Sequence, residues 1–188
     1  MNYLYCILML LAALPITTRA ADDYAIDAAN SYVRFSVSHF LILTTHGRFD
    51  KISGRVTLNR TAQNGLLDVA IEASSINTDH VKRDENLRSE NFFNAAKFPR
   101  VTYQSSSVQF TNNIPARVEG NLTLLGVTRP VALDISSLSC EPRSTDKKEL
   151  CRATASTQIK RSDFGMAYAL PLIGDEIKLM FEIAAYGE

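Results

Sequence analysis

The chain has 188 residues, 46% of them hydrophobic, which suits one globular domain with a sizeable core and excludes a disordered chain. Lys plus Arg and Asp plus Glu both number 20, so no long-range field draws in a phosphate backbone or an acidic membrane surface. Nucleic acid is therefore not an expected partner.

Residues 1–20 run from an apolar stretch, Leu4 to Ile16, to the small-residue site Thr18-Arg19-Ala20. That order predicts a secretory signal peptide cut after Ala20, although the n-region "MNYLY" carries no Lys or Arg. The apolar stretch is too short to span a bilayer. Cys6 leaves with the signal, and residues 21–188 are expected to form one exported barrel domain.

Period-2 alternation then recurs along the chain. Val33, Phe35, Val37 and His39 share one face, and Leu67, Val69, Ile71 and Ala73 share another. Val56 and Leu58, Val101 and Tyr103, Leu122 and Leu124, and Val131, Leu133 and Ile135 repeat the pattern. Ala153, Ala155 and Ile159, then Ile177, Leu179, Phe181 and Ile183, complete about eight strands. Turn signals separate them at Asn64-Gly65, at Asn112-Asn113 with Pro115, and at Leu125-Gly126-Val127-Thr128 before Pro130. An eight-stranded antiparallel barrel removes the exposed edges and leaves room for one small ligand; a two-sheet sandwich is the alternative.

One stretch departs from this rhythm: "RDENLRSENFFNAAKFP", Arg83 to Pro99. With Asp79 as N-cap, helix formers through Arg88, Ser89 as a second cap and Pro99 as terminator, it reads as a helical insertion between strands. Its Leu87, Phe92, Phe93 and Phe98 need an apolar surface, and a barrel offers the end of its lumen or its outer sheet face. Further on, Cys140 and Cys151 flank the polar loop 141–150. In an oxidising compartment they would pair, the alternative being two reduced thiols.

Five stretches in order resemble the YceI family of periplasmic lipocalin-like proteins: "SVSHF" (36–40), "GRFDKISGRV" (47–56), "SSINTDHVKRDENLRSENFFNAAKFP" (74–99), "GNLTLLGVTRPV" (120–131) and "RSDFGM" (161–166). The resemblance implies an extended antiparallel lipocalin-like β-barrel with a helical segment and a long apolar lumen. Some family members hold in it a polyisoprenoid, a quinone-like molecule or a fatty amide. It also implies a periplasmic location and a membrane cytochrome of the b561 type as partner; a homodimer is left open. The family's "SVxH" histidine falls on His39, its glycine and phenylalanine on Gly47 and Phe49, and its "RDxHLRSxDFF" run on Arg83 to Phe93. Asn86 and Asn91 replace the histidine and aspartate of that run, so any role for those two groups is lost here.

The expected lumen, and hence ligand-binding, residues are Val33, Phe35, Val37, His39, Phe49, Leu87, Phe92, Phe93, Leu122, Leu124, Val131, Leu133, Phe164 and Met166. His39 lies on an apolar strand face, where it either meets a ligand's polar head or satisfies a backbone group; the second reading is favoured. His39, His46 and His80 show no metal-ligand spacing, so no metal is expected. There is no G-x-S-x-G elbow and no cofactor motif, and nothing proposes an enzyme. Arg83-Asp84 and Arg161-Asp163 are either internal ion pairs anchoring their segments or solvated charges. The leading expectation is a periplasmic carrier of a long apolar amphiphile. The alternatives are an accessory factor or enzyme acting on such a lipid, and a solid-core interaction module.

Overall fold

The computed structural model describes residues 21–40, 42–144, 146 and 148–188; the expected signal peptide lies outside them. Eleven strand segments form one antiparallel sheet. In chain order they are β1 (Asp22–Ile26), β2 (Tyr32–His39), β3 (Leu43–Phe49), β4 (Ile52–Asn59), β5 (Asn64–Glu72), β6 (Ile76–Asn77), β7 (Arg100–Thr111), β8 (Ile114–Leu124), β9 (Val127–Pro142), β10 (Glu149–Lys160) and β11 (Ile173–Gly187). Among the described residues one α-helix, α1 (Val81–Arg88), lies between β6 and β7.

The sheet closes. β1 and β2 both pair with β11, at Tyr24 opposite Gly187 and at Val33 opposite Phe181, so they are two halves of one bent stave. β3 with β4, and β5 with β6, are likewise halves of one stave, the last interrupted by a 3-10 turn at Ala73–Ser75. Counted as staves, the barrel has the eight antiparallel strands that the alternation predicts. Closure excludes the two-sheet sandwich and removes the edges that would template aggregation.

Local chemistry explains the turns and bends. Asn112 and Asn113 both have positive φ between paired Thr111 and Ile114, and Leu125 and Gly126 do so between Leu124 and Val127. Two consecutive left-handed residues match the right-handed twist of the flanking strands. The first reversal differs from expectation: Asn64 and Gly65 are already strand residues, and the turn falls at 60–63 with Gln63 at φ 52°. Asn59, the last residue of β4, opens this turn, its side-chain oxygen accepting from the Ala62 N–H at 2.8 Å. Gly54 has φ 152°, and a Cβ there would run into the Asp68 carbonyl of the next stave, so only glycine lets β4 approach β5.

The two ends of the barrel differ. His39 faces Ile173 near one end of β11 and Cys151 faces Ala185 near the other, about 40 Å apart on an extended strand. At the second end Tyr24, Leu58, Cys151 and Ala185 form a solid plug. Burial and the bond to Glu149 push the Tyr24 phenol up to about 12, and the Arg60 guanidinium reaches the same Glu149 at 3.1 Å. Cys140 and Cys151 are directly opposed on β9 and β10 and joined as a disulfide. Replacing both by serine is expected to lower stability by roughly 3 kcal/mol at most, since the bridge closes a short loop. Thiol labelling of denatured protein from an oxidising compartment should find no free cysteine; two labelled positions would refute the pairing.

Candidate functional site

The first end is covered by the insertion between β6 and β7. Asp79 is not the N-cap: it sits outside the helix at φ 57°, and the His80 side chain accepts from the Arg83 N–H at 3.3 Å. Asp84, buried within α1, accepts from the Thr78 N–H at 2.9 Å and from its hydroxyl at 2.5 Å. Arg83 donates to the same hydroxyl and to the Thr78 carbonyl, so Arg83 and Asp84 meet through Thr78 rather than as a pair. Arg88 donates to the carbonyls of Ser74 and Ile76, at 2.7 Å each. β6 pairs only with β3, and Arg88 supplies donors where a further strand would have supplied them.

No second helix follows. After Ser89 the chain makes consecutive turns through Asn94, which has φ 43°, with N–H groups of Phe93 and Ala95 returning to Leu87 and Arg88. The turns aim two phenylalanines inward. Phe93 stands edge-on to Phe49 at 5.3 Å, and Phe92 stands edge-on to Tyr168 at 5.3 Å. Phe98 goes elsewhere, lying over Gly126 at the β8–β9 turn.

Between this cover and the far plug lies a cavity of about 280 Å³. Of the expected lumen residues, Val33, Phe35, Val37, His39, Phe49, Leu87, Phe92, Phe93, Leu122, Leu124 and Met166 line it. Val131, Leu133 and Phe164 do not; they pack in the surrounding core. Sequence reasoning missed Thr45, Ile71, Arg83, Asn86, Val101, Ile159, Arg161, Ile173, Ile177, Leu179 and Phe181. Ile71, Val101, Ile177, Leu179 and Phe181 carried the alternating signal that marks the inner face. Phe35 owes its position to Gly47 directly opposite, where a Cβ would collide with its ring.

The polar groups on the lining are His39, Thr45, Arg83, Asn86 and Arg161, and no carboxylate is among them. His39 sits edge-on to Phe40 at 4.3 Å. Arg161 is only 2% exposed, yet it makes no ion pair with Asp163. Its guanidinium donates to the carbonyls of Gly174, Met166, Tyr168 and Ile173 at 2.8–3.0 Å. Burial pulls its pKa below the usual arginine value, against the opposing charge of Asp175. Asp175 in turn is held below the usual carboxylate range, chiefly by the Ser162 hydroxyl at 2.7 Å. Asp163 faces outward, with its carbonyl accepting from Arg129. Where Cys140, Glu149 and Cys151 converge, both sulfurs are bonded to each other and unavailable as thiolate ligands.

A closed antiparallel barrel, plugged at one end and holding an apolar cavity under a helical cover at the other, is a lipocalin-like architecture. The YceI-like domain model matches residues 24–185, and the chain belongs to the YceI family. A UPF0312 protein of Shewanella denitrificans is 33% identical over 171 residues, covering 88% of this chain and 87% of the relative. A UPF0312 protein of Pseudomonas paraeruginosa is 32% identical over 168 residues, covering 87% and 86%. Among solved structures, the Campylobacter jejuni YceI protein superposes with a TM-score of 0.68 at 27% identity, covering 80% of this chain and 90% of that one. A polyisoprenoid binding domain from Saccharophagus degradans shares the fold, with a TM-score of 0.62 at 20% identity over 88% of this chain and 98% of that one.

Proposed function

We propose that this protein is a periplasmic carrier that shields one long single-chain amphiphile, a polyisoprenoid or an isoprenoid quinone, in its barrel. The observation that carries the reading is the cavity: about 280 Å³, apolar on nearly every side, with its polar groups confined to His39, Thr45, Arg83, Asn86 and Arg161. That volume is near the lower end of small-molecule sites, about 300–1,000 Å³, and suits a slender chain better than a fused ring system. Each buried methylene contributes about 0.8 kcal/mol, so several isoprene units are enough for tight binding. His39, Thr45, Arg83 and Asn86 all carry hydrogen-bond donors and no carboxylate stands among the described lining residues, which favours a head group made of acceptors. The polyisoprenoid-binding domain that shares the barrel agrees with this choice of guest. In this reading residues 1–20 are removed on export, and a b561-type membrane cytochrome is the partner for a quinone guest.

The test is to extract freshly purified protein with organic solvent, identify what is released by mass spectrometry, and return isoprenoid quinones and fatty amides to the emptied barrel. A released chain lipid, together with a melting temperature raised by one of these guests, is the expected result. At a hundredfold excess over Kd the stabilisation should be about 2.7 kcal/mol. If nothing is released and none of the guests raises the melting temperature, the carrier reading fails and the barrel is an interaction module whose cavity takes no lipid.

A further inference from the structure

Ten large hydrophobic side chains are exposed among the described residues, and six of them sit on two adjoining loops beside the cavity. Phe40 and Ile42 lie between β2 and β3, with Leu43 the first residue of β3; Tyr168, Leu170 and Leu172 lie in the segment that leads into β11. Ile42 is 86% exposed and Leu172 56%. The loops are tied together: the Phe40 N–H donates to the Leu172 carbonyl at 2.7 Å, and His39 pairs with Ile173. They also adjoin the cavity, because Phe40 touches His39, Tyr168 touches Phe92, and both His39 and Phe92 line it.

Two features say what covers this collar. First, the runs Phe-Leu-Ile-Leu-Thr-Thr (40–45) and Phe-Gly-Met-Ala-Tyr-Ala-Leu-Pro-Leu-Ile-Gly (164–174) contain no charged residue, in a chain that is 21% charged. Second, the second loop turns its backbone acceptors inward. Arg161 takes the carbonyls of Met166, Tyr168, Ile173 and Gly174. The N–H groups of Leu170, Ile173 and Phe40 take those of Ala167, Ala169 and Leu172. A loop meant for water has no need of this, since water satisfies exposed carbonyls; in hydrocarbon each unsatisfied one costs several kcal/mol. Exposed leucine and isoleucine flanked by Phe40 and Tyr168 match the pattern of a surface that enters the headgroup boundary of a bilayer.

We propose that the collar of Phe40, Ile42, Leu43, Tyr168, Leu170 and Leu172 docks the barrel on a lipid bilayer, mouth down, so that an apolar chain passes between membrane and cavity without crossing water. The proposal rests on the carrier reading for its purpose, but its measurement is separate. Docking is apolar, so it should survive raised salt.

The experiment is flotation of the full mature protein with vesicles of phosphatidylethanolamine and phosphatidylglycerol, at low and high salt. Wild-type protein should float at both. The double variant Ile42→Asp with Leu172→Asp should partition about tenfold less or weaker still, with its melting temperature and its isoprenoid-induced melting shift unchanged. Leu66→Asp with Met180→Asp, exposed elsewhere on the barrel, should float like wild type. Failure of the wild type to float, or equal flotation of the collar variant, overturns the docking. So does sedimentation showing that the wild type self-associates and the collar variant does not, since a second copy would then be the cover. Retained flotation with no isoprenoid binding would sink the carrier reading alone.

Discussion

Replacing Arg161 by methionine is expected to lower stability by about 4 kcal/mol, or roughly 10 °C in Tm. The methionine keeps much of the volume and removes every donor. Four carbonyls, those of Gly174, Met166, Tyr168 and Ile173, then lose their partner at a site where the arginine is 2% exposed. Arg161→Lys should recover only part of the loss, because one ammonium cannot reach four acceptors that a planar guanidinium spans. Urea titration gives the magnitude, and hydrogen exchange should locate the added opening in residues 166–174. A loss below about 1 kcal/mol would mean that the loop holds without its arginine and that water replaces the four bonds.

Phe93→Ala should loosen the hold of the barrel on the proposed guest. Phe93 stands edge-on to Phe49 and both line the cavity, so truncation removes an aromatic contact and opens the cover. We expect about 2 kcal/mol of lost stability and at least about a tenfold faster release of a rebound quinone. Met180→Ala, on the outer face of β11 and half exposed, is the matched control and should change neither. Equal release from the two variants would reduce the insertion between β6 and β7 to a connector.

Much of this could be read along the chain. Strand periodicity is local: alternate side chains face alternate sides, and so the faces carrying Val33 and Phe35, Leu122 and Leu124, and Leu179 and Phe181 were legible without contacts. The reversals at Asn112-Asn113 and Leu125-Gly126 were legible for the same reason, since positive φ is a property of the turn itself. The helix start was legible only to within one residue, because His80 and Asp79 both offer an acceptor and the fold of Thr78 chose between them.

The sequence by itself determined the strand number, the break in rhythm at 83–99 and the chemistry of an apolar interior. Only the tertiary structure decided which apolar faces bound empty space. Val131 and Leu133 alternate as well as Val33 and Phe35, but they fall where neighbouring side chains fill the barrel, as does Phe164 in its 3-10 turn, and nothing in a period-2 pattern reports the distance to the opposite wall. Tertiary structure also decided the partner of Arg161. The sequence placed Asp163 two residues away, but the guanidinium turned to four carbonyls of a loop that returns only after the chain has reversed. A buried charge takes whatever acceptors surround it, and those are set by the fold rather than by proximity along the chain.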